Sequence, residues 1–158
     1  EVMAAFLSTL ATGKAAATPT DPITLGAEKT PLLSAYAHFT PDGTEDANDT
    51  LTMFNLPNKA ILMDMVLTCN GFGAGINLQI GDSGDDDRYL SAQSFNSGST
   101  KSMISVLPAM AGYQLSADTA IVIKFTGADM STASSLNPVR LYASYIMPGF
   151  KQLPRDYI

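Results

Sequence analysis

The chain has 158 residues, a formal net charge of −6, 15% charged residues and 46% hydrophobic ones. That length fits one domain burying roughly 70% of the surface its unfolded chain exposes, and the composition is too apolar for intrinsic disorder. The acidic balance offers no basic patch to neutralise phosphates or an anionic bilayer, so neither nucleic acid nor membrane is expected as a partner, and Asp64 interrupts the best apolar stretch, residues 60–69, far short of a span.

Residues 1–17 place Val2, Met3, Phe6, Leu7 and Leu10 at the spacing of one helix face, with Gly13 as a stop, and predict a short amphipathic helix. A secretory signal is the competing reading, but no positive region precedes the apolar run. Pro19, Pro22, Gly26 and Pro31 then mark an extended arm, so residues 1–31 read as an appendage. From residue 32 the pattern changes to short period-two runs separated by Gly, Pro, Asn, Asp and Ser clusters. The runs are 32–39, 50–56, 60–69, 76–80, 88–95, 102–107, 119–126 and 138–147. In the third, strict alternation puts Ile61, Met63, Met65, Leu67 and Cys69 on the inner face and Asp64 and Thr68 on the other. Ile121, Ile123 and Phe125 alternate against Lys124, and Val139, Leu141, Ala143 and Tyr145 against Arg140. Eight such runs predict an all-β protein, an antiparallel jelly-roll-like sandwich over 32–147. Residues 148–158 break the alternation with Pro148, Gly149 and Pro154 but keep Phe150, Leu153, Tyr157 and Ile158, an extended tail that needs a docking place on its own domain or on a neighbour.

Two loops concentrate the acidity. Asp42, Glu45, Asp46 and Asp49 lie in one, Asp82, Asp85, Asp86 and Asp87 in the other, and the rest of the chain, with seven acids and nine bases, is +2. The uncharged body suits a protein that meets a partner.

The residues that could carry chemistry are few. Gly81-Asp82-Ser83-Gly84-Asp85 is similar to the nucleophile segment of trypsin-like proteases, with His38 upstream. Asp85 stands where glycine is required and Phe39 where cysteine is usual, so a charged turn between strands explains the same residues better. His38 is the only imidazole and Cys69 the only thiol, which excludes an internal disulfide and multi-histidine or multi-cysteine metal sites. Asp82 to Asp87 could offer oxygens to calcium, but Asp87 and Gln93 occupy the positions where a helix-loop-helix calcium loop needs Gly and Glu. A glycosidase-type carboxylate pair across the two acidic loops is conceivable, with no spacing to support it. Gly71, Gly73 and Gly75 precede a strand rather than a helix, so they predict a hairpin turn and not a nucleotide loop. No catalytic residue, cofactor or metal is assigned, and Met63 and Met65 read as core filling.

One stretch resembles a known family. Leu56-Pro57-Asn58-Lys59 leads into Ala60-Ile61-Leu62-Met63-Asp64-Met65-Val66-Leu67, then Gly73, Leu78-Gln79-Ile80-Gly81-Asp82 and Asp85-Asp86-Asp87-Arg88-Tyr89-Leu90-Ser91-Ala92. Over about residues 50 to 126 this is similar to the capsid cement, or decoration, proteins of tailed bacteriophages. The resemblance implies a non-enzymatic sandwich, made in the host bacterial cytoplasm, that coats the outer surface of the virion head. Its partners would be the major capsid protein and further copies of itself, as a homo-oligomer (dimer or trimer). The termini fall outside the match; from their apolar character we expect Phe6, Leu7 and Leu10, with Phe150, Leu153 and Tyr157, to contact capsid or a sister subunit. The rival reading is a carbohydrate- or receptor-binding jelly roll that uses the two acidic loops with calcium, although no Trp and only Tyr89 are available to stack on a sugar near them.

Overall fold

The computed structural model describes residues 32–73 and 75–148, so the expected helix and arm, the tail beyond Pro148 and the six terminal contact residues lie outside the described residues. Period-two alternation becomes eight strands: β1 (Leu32–Phe39), β2 (Thr50–Leu56), β3 (Ile61–Cys69), β4 (Ile76–Asp82), β5 (Asp85–Ser94), β6 (Ser99–Ser102), β7 (Thr119–Gly127) and β8 (Val139–Ile146). They form two four-stranded sheets, β1-β8-β3-β6 and β2-β7-β4-β5, with every neighbouring pair antiparallel. Every connection except the β4–β5 turn passes from one sheet to the other, which is the winding of a jelly roll. The fold is the antiparallel all-β sandwich read from the sequence.

Leu67, Val139, Leu141 and Ala143 of the first sheet are buried, as are Leu78, Ile80, Ile121, Ile123 and Phe125 of the second. Phe72 and Phe95, from the connections, join the same core.

Three expectations are corrected. The β3 alternation does not run through: its register against β8 shifts between Leu62 and Asp64, so Leu62 and Met65 are both fully buried while Met63 is 40% exposed. The cause is local. Leu62 gives its N–H to the Tyr113 carbonyl and accepts from Gly112, so the incoming end of β3 is held by the β6–β7 connection, and the extra residue reconciles that phase with the rest of the strand. Residues 102–107 are not a strand either. β6 ends at Ser102 and one helical turn, α1 (Met103–Val106), follows. Asp64 of β3 accepts the Ser102 hydroxyl on both oxygens at 2.9 Å and the Ile104 N–H at 3.2 Å, supplying a cap that sequence alternation cannot anticipate. The Gly71–Gly75 stretch, finally, is an arch from one sheet to the other and not a hairpin, because β3 and β4 lie in different sheets.

The registers also fix which loops share an end of the sandwich. Thr50 faces Lys124, and Ile76 faces Gly127, so loops 40–49, 70–75 and 128–138 gather at one end. Leu56 faces Thr119, and Leu32 faces Ile146, which faces Ile61. The start of β1, the end of β8, the 83–84 turn and the 103–118 connection therefore gather at the opposite end.

Candidate interaction surface

The outer faces of the two sheets differ in kind. On the second sheet Gln79 of β4 lies opposite Lys124 of β7, and Asp86 of β5 accepts from Gln79 Nε2 at 2.8 Å and pairs with the Lys124 ammonium. That face is polar and internally satisfied. On the first sheet the exposed large apolar side chains are Leu32, Tyr36, Met63 and Tyr142, which are 65%, 52%, 40% and 44% exposed, and Ser34, His38, Asp64, Thr68, Arg140 and Ser144 occupy further outward positions of β1, β3 and β8. Tyr36 lies opposite Tyr142, their ring centroids 4.7 Å apart, and Tyr142 lies opposite Val66. Polar rows flank the Tyr36–Tyr142 row along the strands: Arg140 lies between His38 and Thr68 on one side, and on the other Ser144 lies between Ser34 and Asp64, which is engaged by Ser102 and Ile104. An exposed aromatic pair with a polar border, such as Tyr36 and Tyr142, is a feature enriched in association surfaces.

A second constellation sits at the end where the chain enters β1 and leaves β8. Asp82, the last residue of β4, accepts the Tyr89 hydroxyl at 2.7 Å, the Gly84 and Asp85 amides at 2.9 and 3.2 Å, and pairs with Arg88 Nε at 2.9 Å. The Arg88 guanidinium lies over the Tyr113 ring, 5.9 Å from its centroid. Burial pushes the Asp82 carboxyl up, but the hydrogen bonds from Tyr89 and the backbone and the Arg88 charge outweigh it and hold it below the ordinary aspartate value. Burial and the same bond to Asp82 push the Tyr89 phenol far above its ordinary value, so it stays a donor. These groups border a cleft of about 260 Å³ that also touches Leu115 and Asp118. Chemically the cluster is a clamp that closes the β4–β5 turn, because each strong acceptor site of Asp82 is already occupied.

The residues singled out for chemistry are placed as follows. Ser83 lies in the β4–β5 turn and His38 near the opposite end of the sandwich, so the protease-like segment has no base beside it. The two acidic segments occupy opposite ends as well: Thr50 directly follows the first, while the second is not a loop as expected but the end of β4 and the start of β5 around the 83–84 turn, with Asp82 in β4 and Asp85, Asp86 and Asp87 in β5. A carboxylate pair or a sugar site drawing on both segments is therefore not formed. Asp85, Asp86 and Asp87 bring carboxylate oxygens within 4.8 Å of one another, which is the grouping that could meet a cation, but Asp86 is spent on Lys124 and Gln79. Asp87 is pushed above the ordinary aspartate value, first by its hydrogen bond with Asp85 and then by burial. Cys69 is buried, with its thiol pushed up by burial, and is a core residue rather than a nucleophile. Sequence reasoning missed the outer face of the first sheet, because the β3 bulge moves Met63 onto it.

No protein-family model matches the sequence, and no curated protein matches it. Solved structures do share its fold. A chain of the cyanophage Pam1 capsid asymmetric unit matches with a TM-score of 0.58 and 22% identity, over 76% of this chain and 87% of that one. A chain of the capsid of Ralstonia phage GP4 matches with a TM-score of 0.60 and 14% identity, over 74% of this chain and 84% of that one. What they share with this chain is the jelly roll. Because each covers a larger share of its own length than of this chain, both matched polypeptides are shorter than 158 residues.

Proposed function

We propose that this chain is a non-enzymatic structural component of a bacteriophage virion and, more specifically, a cement protein that binds the outside of the head and ties neighbouring major capsid subunits together. The observation that carries the reading is the shared jelly roll with two polypeptides found in phage capsids, both of them smaller than this chain. The strand-and-turn grammar of residues 50 to 126 supports it independently. The exposed apolar side chains of the first sheet's outer face, Leu32, Tyr36, Met63 and Tyr142, suit a protein that works by burying surface in an assembly. In this reading residues 1–31 are a helix and arm and 148–158 a tail, reaching neighbours through Phe6, Leu7, Leu10, Phe150, Leu153 and Tyr157. Both appendages join the sandwich at one end, where Leu32 and Ile146 are paired, so they can engage one partner together.

The test is quantitative mass spectrometry of purified particles, followed by re-addition of the purified chain to heads that lack it. The reading expects a copy number of the same order as the shell subunit and tighter retention of heads under heat or chelation after re-addition. Absence from particles, or a copy number fit only for a tail structure, refutes the cement role. A full-length variant with Phe6, Leu7 and Leu10 changed to Ala that decorates heads as tightly as the parent chain refutes the arm contacts.

A further inference from the structure

We propose that β1 is a dimerisation strand: it pairs antiparallel with β1 of a second copy of this chain, about a two-fold axis through Tyr36, joining the two first sheets into one eight-stranded sheet. The argument rests on how the four sheet edges are guarded. Edges are kept from pairing by shortness, charge, proline or bulges. β6 has four residues and carries Lys101. β5 begins with Asp85, Asp86 and Asp87 and shifts register twice against β4. β2 shifts register between Thr52 and Phe54. β1 has none of these guards: it matches β8 residue for residue over all eight positions, without a shift, and contains no Pro, Lys, Arg, Asp or Glu. On its side away from β8, alternate residues present N–H and C=O groups with no backbone partner among the described residues. Its core-facing residues Leu33, Ala35, Ala37 and Phe39 are only half-buried, which a further strand would complete.

The strand is also complementary to itself. Residues opposed across an antiparallel pair point to the same face, so a two-fold axis must pass through a residue position. Centred on Tyr36, the register sets Tyr36 against the partner's Tyr36, Ser34 against the partner's His38, Ala35 against the partner's Ala37 and Leu33 against the partner's Phe39. The Tyr36–Tyr142 contact at 4.7 Å is thereby extended into a column of four aromatic rings on the outer face. No two like charges oppose. A second copy is a better occupant than this chain's own arm, because Pro31 immediately precedes Leu32 and Pro22 falls in the stretch that would have to return beside β1, and proline cannot donate to a ladder. Two-fold pairing is also the commonest closed assembly. The inference stands apart from the capsid reading, since it is measured on the purified chain alone.

The full chain is examined by sedimentation velocity, beside Tyr36→Lys, Met63→Lys, Tyr36→Cys and Met63→Cys variants, with Cys69 left in place because it is buried. The expected result is a dimer for the parent chain and for Met63→Lys, and a monomer with unchanged circular dichroism for Tyr36→Lys. On mild oxidation Tyr36→Cys should give a disulfide-linked dimer, since residues opposed in a ladder fall within the Cα separation that a disulfide spans, and Met63→Cys should not. A monomeric parent chain, a Tyr36→Lys variant that stays dimeric, or a Tyr36→Cys variant that does not cross-link overturns the proposal. If Tyr36→Lys does not fold, hydrogen exchange of the parent chain decides: β1 amides protected in the dimer and released on dilution support the pairing. Fast exchange in the dimer, or protection unchanged in the monomer as the chain's own arm would give, overturns it.

Discussion

The bulge in β3 makes opposite claims about two adjacent residues, and substituting each by alanine separates them. Strict alternation puts Met63 in the core and Leu62 on the surface, whereas in the structure Leu62 has 0% of its surface exposed and Met63 40%. Leu62→Ala removes a fully buried branched side chain from the same core as Met65, where partial collapse leaves a cavity, and costs about 3 kcal/mol within the usual range of about 2–5. Met63→Ala removes a side chain already largely in water and costs less than about 1 kcal/mol. For a chain of this length those costs lower Tm by about 6–12 °C and by less than about 4 °C respectively. Thermal and urea unfolding of the full chain, followed by far-UV circular dichroism and by tyrosine emission in the absence of any Trp, measures both. Met63→Ala costing as much as Leu62→Ala, or more, would refute the register shift and restore the uninterrupted alternation.

The Asp82 clamp predicts a pH dependence. Its folded carboxyl lies below the ordinary aspartate value, so the stability it contributes is fully present above that ordinary value and is lost as pH falls through the lower folded one. Asp82→Asn should flatten the acid limb of a Tm-against-pH profile and cost about 1–3 kcal/mol at neutral pH, because Tyr89 and Arg88 lose a charged acceptor; an acid limb of unchanged slope would show that the clamp contributes nothing. Gly81→Ala should cost about 1–3 kcal/mol, since a Cβ there falls 2.2 Å from the Asp85 carbonyl oxygen and the backbone across the turn must move. A variant with the parent Tm would show that β4 and β5 do not approach so closely.

How much of this was legible in the sequence depends on whether the deciding contact was local. β1 and β2 occupy the predicted runs to the residue, and β7 and β8 come within a residue at each end, because their alternation of Ile, Val, Leu and Phe with polar residues is set by their own side chains. The errors fall where another segment decides. Met63 faces outward because Gly112 and Tyr113 hold Leu62, about fifty residues away in sequence. The run after Ser102 turns helical because Asp64 caps it from a neighbouring strand. The Gly71–Gly75 turn looks like a hairpin until the sheet order is known, since a glycine-rich link between two strands reads the same whether they pair or merely stack. For the site, the acidic segments attracted attention as ligand-binding groups because charge is visible in one dimension, whereas the exposed Tyr36–Tyr142 pair is assembled from β1 and β8 and becomes visible only when their register is known.

Those same acids take on a different meaning once placed. Asp85 to Asp87 open an edge strand and Asp82 fastens the turn before it, so these charges place a guard on β5 against adding a neighbour and close the β4–β5 turn. Asp86 satisfies the polar outer face of the second sheet through Lys124 and Gln79. The first sheet receives no such treatment on β1 or on the Tyr36–Tyr142 face, although a stretch without charge, proline or bulge at an open edge is a hazard for a chain that stays alone in water. An asymmetry of this kind, three edges guarded and one without a backbone partner among the described residues beside an exposed aromatic pair, is what the proposed dimer uses: the guards restrict where pairing can occur, and the β1 edge supplies backbone hydrogen bonds without the desolvation cost of buried charges.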